Sequence, residues 1–369
     1  MQKVSIANLQ PGMITAHNVY NADGTVLIKA DVEISIQNSK RLKQFGLGSI
    51  YIKNQLFDGI EFPELVTEDT RLRAIQVVQS AFVNFSKTQD VNIEPFKELA
   101  NSIVDEIILN RDMLVQLVDT RTYDDYLYGH SVNVCILSVL TGLALEYNEG
   151  KLRELALGAL LHDLGYLLIP TEIADKPGKL TPEEAGIIQQ HTTKGFEALR
   201  KVYGVSIPAA HIAFQHHENF DGTGYPRRLQ GDEIHEYARI AKIADIFDAL
   251  VADRKYRKAF LPHEAYELLM TLSNKFVDNK ILEVFLGNIA IYPVGSVVKL
   301  NTGEFGIVTK VSRKMQARPI VRVITDKNGQ LLHNAEEVDL TQQLTVFIEK
   351  LLKEQDVIEL NKQLKGLVP

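Results

Sequence analysis

Cysteine is almost absent from the chain, with Cys135 the only one in 369 residues. A lone thiol excludes an intrachain disulfide framework and a thiolate-held zinc cluster, and it agrees with a reducing compartment. Long apolar runs are also missing, since no stretch approaches the ~20 residues that span a bilayer. The start, Met1-Gln2-Lys3-Val4-Ser5-Ile6, lacks the basic-then-apolar form of a secretory signal. The expectation is a cytoplasmic protein that binds no membrane. Nor is there a surplus of positive charge. Forty Lys and Arg against 47 Asp and Glu give a formal net charge of −7. The whole-protein field therefore does not favour a nucleic-acid polymer, and an anionic ligand must be held by a local patch.

What is present is globular in balance. Hydrophobic residues make up 45% and charged ones 24%, which argues against wholesale disorder. The length suits roughly two to three domains. Of the ten histidines, eight fall between positions 130 and 263, and this clustering is the first sign of chemistry.

The hydrophobic pattern divides the chain into four stretches. Residues 1–62 predict a small α+β module: a hairpin with Asn21-Ala22-Asp23-Gly24 between Ile14–Tyr20 and Thr25–Ile28, a helix from Ile36 to Phe45, and a strand over Ser49–Ile52. Residues 63–119 predict a helical linker or hairpin. One helix face would carry Leu72, Ile75, Val78, Phe82 and Phe85, and the next Leu99, Ile103, Ile107, Leu114 and Leu117, with Pro95 between them or starting the second. Residues 120–290 read as an all-α catalytic core, broken at Gly129, Gly165–Pro170, Pro177-Gly178, Gly204–Pro208 and Asp221–Pro226. Residues 291–369 predict a small β-barrel-like appendix with strands at Ser296–Leu300, Gly306–Val311, Ile320–Thr325 and Leu331–His333. An amphipathic helix over Thr341–Lys353 would close it. The fold class expected is thus multidomain: a helical core flanked by an α+β module and a β-rich module with a closing helix.

Within the core, His162 and Asp163 stand side by side where an apolar helix meets Gly165. A His-Asp dipeptide alone is weak evidence. Further on come His191, then His216-His217-Glu218, then Asp245, each interrupting or closing an apolar helical face. A buried imidazole or carboxylate is costly there without a partner, and a shared metal supplies one for all of them. Nitrogen and oxygen donors without thiolate suit iron, manganese, cobalt, nickel or zinc.

The order of these motifs resembles the HD-GYP subgroup of the HD phosphohydrolase superfamily. The matching segments are His130-Ser131-Val132-Asn133-Val134, His162-Asp163-Leu164-Gly165, Lys176-Pro177-Gly178-Lys179-Leu180-Thr181, His191 and His216-His217-Glu218-Asn219-Phe220-Asp221-Gly222-Thr223-Gly224-Tyr225-Pro226. The match continues through Ala238-Arg239-Ile240, Asp245-Ile246-Phe247-Asp248 and Asp253-Arg254-Lys255-Tyr256-Arg257. The resemblance covers about residues 123–290. It implies an all-helical, metal-dependent phosphodiesterase of cyclic di-GMP that yields linear pGpG, and further GMP, through a metal-activated bridging hydroxide.

By position in that family, the metal ligands fall on His162, Asp163, His191, His216, His217 and Asp245, with Asp163 bridging two metals. His130 matches a further ligand position. Relatives with a third metal carry a glutamate four residues earlier, where this chain has Tyr126, so two divalent ions are expected, iron or manganese first and nickel, cobalt or zinc next. Tyr166 stands where most relatives have lysine, and it offers the substrate one hydrogen bond without positive charge. The catalytic set is then His162, Asp163 and Tyr166. Gly224, Tyr225 and Pro226 form a turn with an aromatic face for a guanine.

Among the cations Lys176, Lys179, Arg227, Arg228, Arg254, Lys255, Arg257 and Lys258, the family positions favour Arg254 and Arg257 for phosphate, with Lys176 beside them. Asp248 reads as a buttress for a ligand or a basic residue. Thr181-Pro182-Glu183-Glu184 reads as a capping box for the helix that carries His191. Cys135 reads as a small core residue. The expected partners are cyclic di-GMP and a homodimer or signalling protein. Two further readings stand beside the enzyme: a receptor or scaffold that turns over poorly, and a hydrolase of another cyclic dinucleotide or of a nucleotide.

Overall fold

The computed structural model describes residues 1–20, 25–44, 49–115, 126–176, 178–252 and 259–365. The chain forms two compact units. One comprises Met1–Glu64, Met113–Asp124 and Ile289–Pro369, and the other Leu65–Asp112 and Asp125–Asn288.

The first unit holds all the strands. β1 (Gln2–Ser5) pairs antiparallel with β4 (Ser49–Ile52), and β2 (Val19–Tyr20) with β3 (Val26–Ile28). α1 (Ile36–Gln44) lies between these ladders in sequence. Val4, Ile6, Val19, Ile34, Leu42 and Ile50 form their core. The turn expected at 21–24 and the glycines at 46 and 48 lie outside the described residues. The C-terminal sheet is antiparallel throughout, in the order β8 (Leu331–Asp339), β7 (Ile320–Thr325), β6 (Phe305–Lys310), β5 (Val297–Leu300), β9 (Ile348–Leu351).

The closing helix expected over 341–353 is corrected here. Residues 341–347 are turns and irregular chain, 348–351 are β9, and the helix, α12 (Glu354–Lys365), starts only afterwards. Leu344, Phe347, Ile348 and Leu351 have helical spacing, but Ile348 and Leu351 pair with Leu300 and Val298 on β5. Ladder hydrogen bonds override the local periodicity, while Leu344 and Phe347 stay exposed.

The second unit is all helical. α2 (Glu68–Thr88) starts at Thr67, whose hydroxyl accepts from the Thr70 amide, and buries Val78, Phe82 and Phe85. α3 (Glu94–Leu109) has Pro95 in its first turn and buries Phe96, Leu99, Ile103 and Ile107. It ends before Leu114, so the expectation that this residue continues the helix is corrected. Leu114 is buried in an irregular segment past the helix, and Leu117 lies outside the described residues.

α4 (Tyr126–Ala144) runs straight through Gly129, which is buried in the helix rather than breaking it. Its segment Leu127–Ala144 is the one candidate among the described residues long and apolar enough to cross a membrane. That corrects the expectation that no such run exists. The segment is mostly buried, because α4 packs against α2, α3, α5 (Glu149–Leu160), α9 (Glu236–Val251) and α11 (Asn279–Leu286). α6 (Thr171–Ala174), α7 (Pro182–Leu199), α8 (Ile207–Gln215) and α10 (Pro262–Thr271) complete the unit.

Candidate metal centre

Five helices and one turn each deliver part of the site. α5 ends at Leu160, and the chain turns through His162 and Asp163 into a 3-10 turn at Leu164–Leu168. Gly165 allows that turn to lie on α7: a Cβ there would stand 1.9 Å from the His191 carbonyl oxygen and 2.6 Å from the Gly195 nitrogen. α7 carries His191 and is started by Thr181, whose hydroxyl accepts from the Glu184 amide while the Glu184 carboxylate accepts from the Thr181 amide. α8 begins at Ser206 and ends at His216, α4 carries His130, and α9 carries Asp245 and Asp248.

Three imidazoles are held in one way. The Nδ1 of His162 faces the Ala159 carbonyl at 2.8 Å, that of His191 the Ile188 carbonyl at 2.7 Å, and that of His216 the Ile212 carbonyl at 2.9 Å. A carbonyl can only accept, so each Nδ1 carries the proton and each Nε2 presents a lone pair. These Nε2 atoms converge. That of His191 lies 3.4 Å from that of His216, and both lie 3.5 Å from Asp163 Oδ1. His162 Nε2 lies 3.3 Å from the other oxygen, Oδ2. His130 is held by a side chain instead: its Nδ1 is 2.6 Å from Asp248 Oδ2, and its Nε2 is 3.1 Å from Asp245 Oδ1. Asn133 donates to the second Asp248 oxygen at 2.7 Å.

Two ligand clusters result, Asp163 with His191, His216 and His217, and His130 with His162 and Asp245. The Asp163 carboxylate faces both.

The electrostatics follow from burial. Desolvation lowers the pKa of His191 to about 4 and that of His217 well below the usual value, so both are neutral at pH 7. Burial also opposes charge on His162, but the adjacent Asp163 carboxylate outweighs it and raises its pKa. Burial resists ionisation of Asp163 and Asp245 as well. Even so, His162, His216 and His191 hold Asp163 well below the carboxylate range, and His130, His217 and His162 do the same to Asp245.

The protein by itself does not satisfy this arrangement. His162 Nε2 and Asp163 Oδ1 are buried and form no hydrogen bond, which is costly for polar atoms away from water. Lone pairs aimed at one another and at carboxylate oxygens, all nitrogen or oxygen, are what a divalent first-row cation needs. The residues present fit such ions.

Tyr166 sets its ring 4.7 Å from that of His191. The ring of Tyr225 stacks on His217 at 4.8 Å, and Pro226 follows through a cis peptide. The loop folds back tightly enough that a Cβ on Gly224 would stand 2.1 Å from the Asn219 nitrogen. Lys176 is engaged elsewhere, its ammonium donating to both Glu184 oxygens at 2.8 and 2.7 Å. Arg254, Arg257 and the side chain of Tyr126 lie outside the described residues.

Two residues with no role assigned from sequence matter here. Buried Glu218 accepts from the amides of Arg227 and Leu229 at 2.7 and 3.1 Å and so folds the loop that carries Tyr225. Its place directly after two histidines was the available signal. Lys242 is buried on α9, one turn before Asp245, and burial lowers its pKa to about 8 against the pull of Asp245, Glu218 and Asp221. Nothing in its sequence context distinguishes it from a solvated lysine.

Residues 118–281 match the family model described as an HD domain, and residues 297–360 match a KOW domain associated with HD domains. A cyclic di-GMP phosphodiesterase of Pseudomonas aeruginosa is 32% identical over 268 residues, covering 73% of this chain and 64% of the relative. A 3'3'-cGAMP-specific phosphodiesterase of Vibrio cholerae is 43% identical over 127 residues, covering 34% of this chain and 24% of the relative. The chain therefore spans somewhat less than two thirds of the length of the curated relatives it matches. A solved HDG"Y"P protein from Bdellovibrio bacteriovorus shares the fold with a TM-score of 0.51 at 20% identity, over 77% of this chain and 97% of that one.

Proposed function

We propose that the chain, whose residues 118–281 match an HD-domain model and whose relatives include cyclic di-GMP phosphodiesterases, is an HD-GYP protein and a metal-dependent phosphodiesterase that opens cyclic di-GMP to linear pGpG and cuts this further to GMP. One observation carries the reading. The Nε2 atoms of three histidines, each fixed by a helix carbonyl, face a buried Asp163 carboxylate whose Oδ1 has no hydrogen bond.

His162, Asp163, His191, His216, His217, Asp245 and His130 would hold two divalent cations, iron or manganese first, with Asp163 shared between them. Such ions supply Lewis acidity toward a phosphodiester and a hydroxide at neutral pH. The chain's own residues do the rest. Depressed pKa values keep His191 and His217 unprotonated and ready to ligate. Tyr225, backed by His217 and with Gly224 and Pro226 on either side, offers a face for a guanine. Arg254 and Arg257 are proposed from their family positions to take phosphate oxygens. Lys176 is left out, since Glu184 already neutralises it.

The test uses full-length protein purified anaerobically, with metal analysis and product chromatography. Turnover of cyclic di-GMP with about two metals per chain is expected, and Asp163→Ala should lose metal and lower turnover by more than about a hundred-fold. Full activity in metal-replete Asp163→Ala would overturn the site. The Vibrio relative motivates a second reading, with 3'3'-cGAMP as substrate, and faster turnover of that nucleotide in the same assay would replace the first. Tight binding without turnover of either would make the protein a receptor.

A further inference from the structure

Among the imidazoles of the site, His130 is the one set between two carboxylates, those of Asp245 and Asp248. Its Nδ1 rests on Asp248, and Asp248 in turn rests on Asn133. All three are buried. The hydrogen bonds do not stop there, because the Asn133 amide oxygen accepts from Nη1 of Arg71 at 2.5 Å. Arg71 stands on α2, outside residues 118–281 that the HD model matches.

We propose that Arg71 is a positioning residue for the metal ligand His130, acting through Asn133 and Asp248. The reason is the two-sided nature of a side-chain amide. Its oxygen only accepts and its nitrogen only donates, so a flip exchanges the two. A guanidinium cannot accept, and a carboxylate oxygen cannot donate. Arg71 and Asp248 therefore bracket Asn133 so that one orientation alone satisfies both. That orientation turns an N–H onto Asp248 Oδ1, leaves Oδ2 to take the His130 Nδ1 proton, and points the Nε2 lone pair at the site. Without Arg71, the Asn133 oxygen has no donor and the amide is free to turn that oxygen onto Asp248. Lone pairs would then oppose each other 2.7 Å apart, the distance the hydrogen bond now spans.

The inference rests on the metal-centre reading, so its experiment separates the two. Full-length protein is stripped with a chelator and titrated with manganese alone, while unfolding of the chelated protein is followed separately. Arg71→Met is expected to weaken manganese binding roughly ten-fold. Arg71→Lys, which keeps a cationic donor, should stay within about two-fold of the parent. Arg73→Leu on the same helix, whose partner is the exposed Glu98 at 3.9 Å, should bind as the parent does. Asn133→Asp keeps size and the acceptor for Arg71 but sets a second carboxylate against Asp248, and it should weaken binding at least as much as Arg71→Met. This variant serves if Arg71→Met does not fold.

A merely structural arginine would lower the unfolding temperature of the chelated protein and leave manganese affinity unmoved, which would overturn the proposal. So would parental affinity in both Arg71→Met and Asn133→Asp. Parental affinity in Asp163→Ala would instead sink the metal-centre reading itself.

Discussion

His162 and Asp163 are neighbours on the chain, and their side chains meet because α5 stops between Leu160 and the 3-10 turn that follows. Tyr166, three residues on, packs its ring on His191, at the position where the family resemblance leads to the expectation of a lysine. If the missing cation limits turnover, Tyr166→Lys should raise the hydrolysis rate several-fold with metal content unchanged, since a charge aimed at phosphate oxygens in a dry site is worth roughly a few kcal/mol. A fall in bound metal, read by elemental analysis, would show that the ring's packing on His191 is what matters.

Lys242 makes a pH prediction with a definite sign. Its folded pKa of about 8 lies below the usual lysine value because burial penalises the charge. Between about pH 8 and the ~10.4 of an unfolded lysine, the unfolded chain holds a proton that the folded one has released. Stability should therefore rise with pH across that window, by up to ~1.4 kcal/mol per unit. Urea midpoints from pH 7.5 to 10.5 should show this rise in the parent and a flatter line in Lys242→Met; equal slopes would refute it.

At the scale of elements, the site depends on how closely the 3-10 turn at Leu164–Leu168 approaches α7. Gly165 has no room for a methyl group, because the obstruction is backbone of the helix that bears His191. Gly165→Ala should cost about 1–3 kcal/mol of stability and reduce bound metal together. Gly186 lies on the same α7 with nothing within 4 Å of an added Cβ. Gly186→Ala should accordingly raise the unfolding temperature, by the ~1 kcal/mol helix preference of alanine, and leave metal content alone. Calorimetry on the two variants checks both signs, and loss of metal in Gly186→Ala would count against this account.

At the scale of the whole molecule, residues far apart in sequence share one core. Phe57, with Leu56, Ile60 and Phe62 beside it, packs with Val297, Ile307, Ile324, Leu352 and Val357 in the first unit. Ser5 and Glu354 are joined there as well, through the Ser5 amide and the Glu354 carboxylate. A chain ending at residue 290 would expose those N-terminal apolar side chains at ~1.5–3 kcal/mol for each large one. It should bind a hydrophobic dye and elute as aggregates in size-exclusion chromatography, and polar substitutions at Phe57 and Phe62 should reduce both effects. A monomeric truncated chain without dye binding would contradict the shared core.

Local pattern was enough for much of this. Helical spacing in α2 and α3, the capping box at Thr181 and the β-branched run of β7 are written in neighbouring residues, since caps, single-face burial and β-propensity act locally. The ordered histidines and aspartates were legible for the same reason: each breaks an apolar face that otherwise has no use for it.

What neighbouring residues could not determine are the matters settled by distant partners. The spacing of Leu344, Phe347, Ile348 and Leu351 is helical, yet pairing with β5 makes 348–351 a strand. Only packing reveals that Glu218 folds the Tyr225 loop, that Lys242 is buried, and that Asp248 and Asn133 stand between His130 and α2. Hydrogen bonds to residues 62 or 118 positions away carry no local signature, and only the fold that buries them selects which are made.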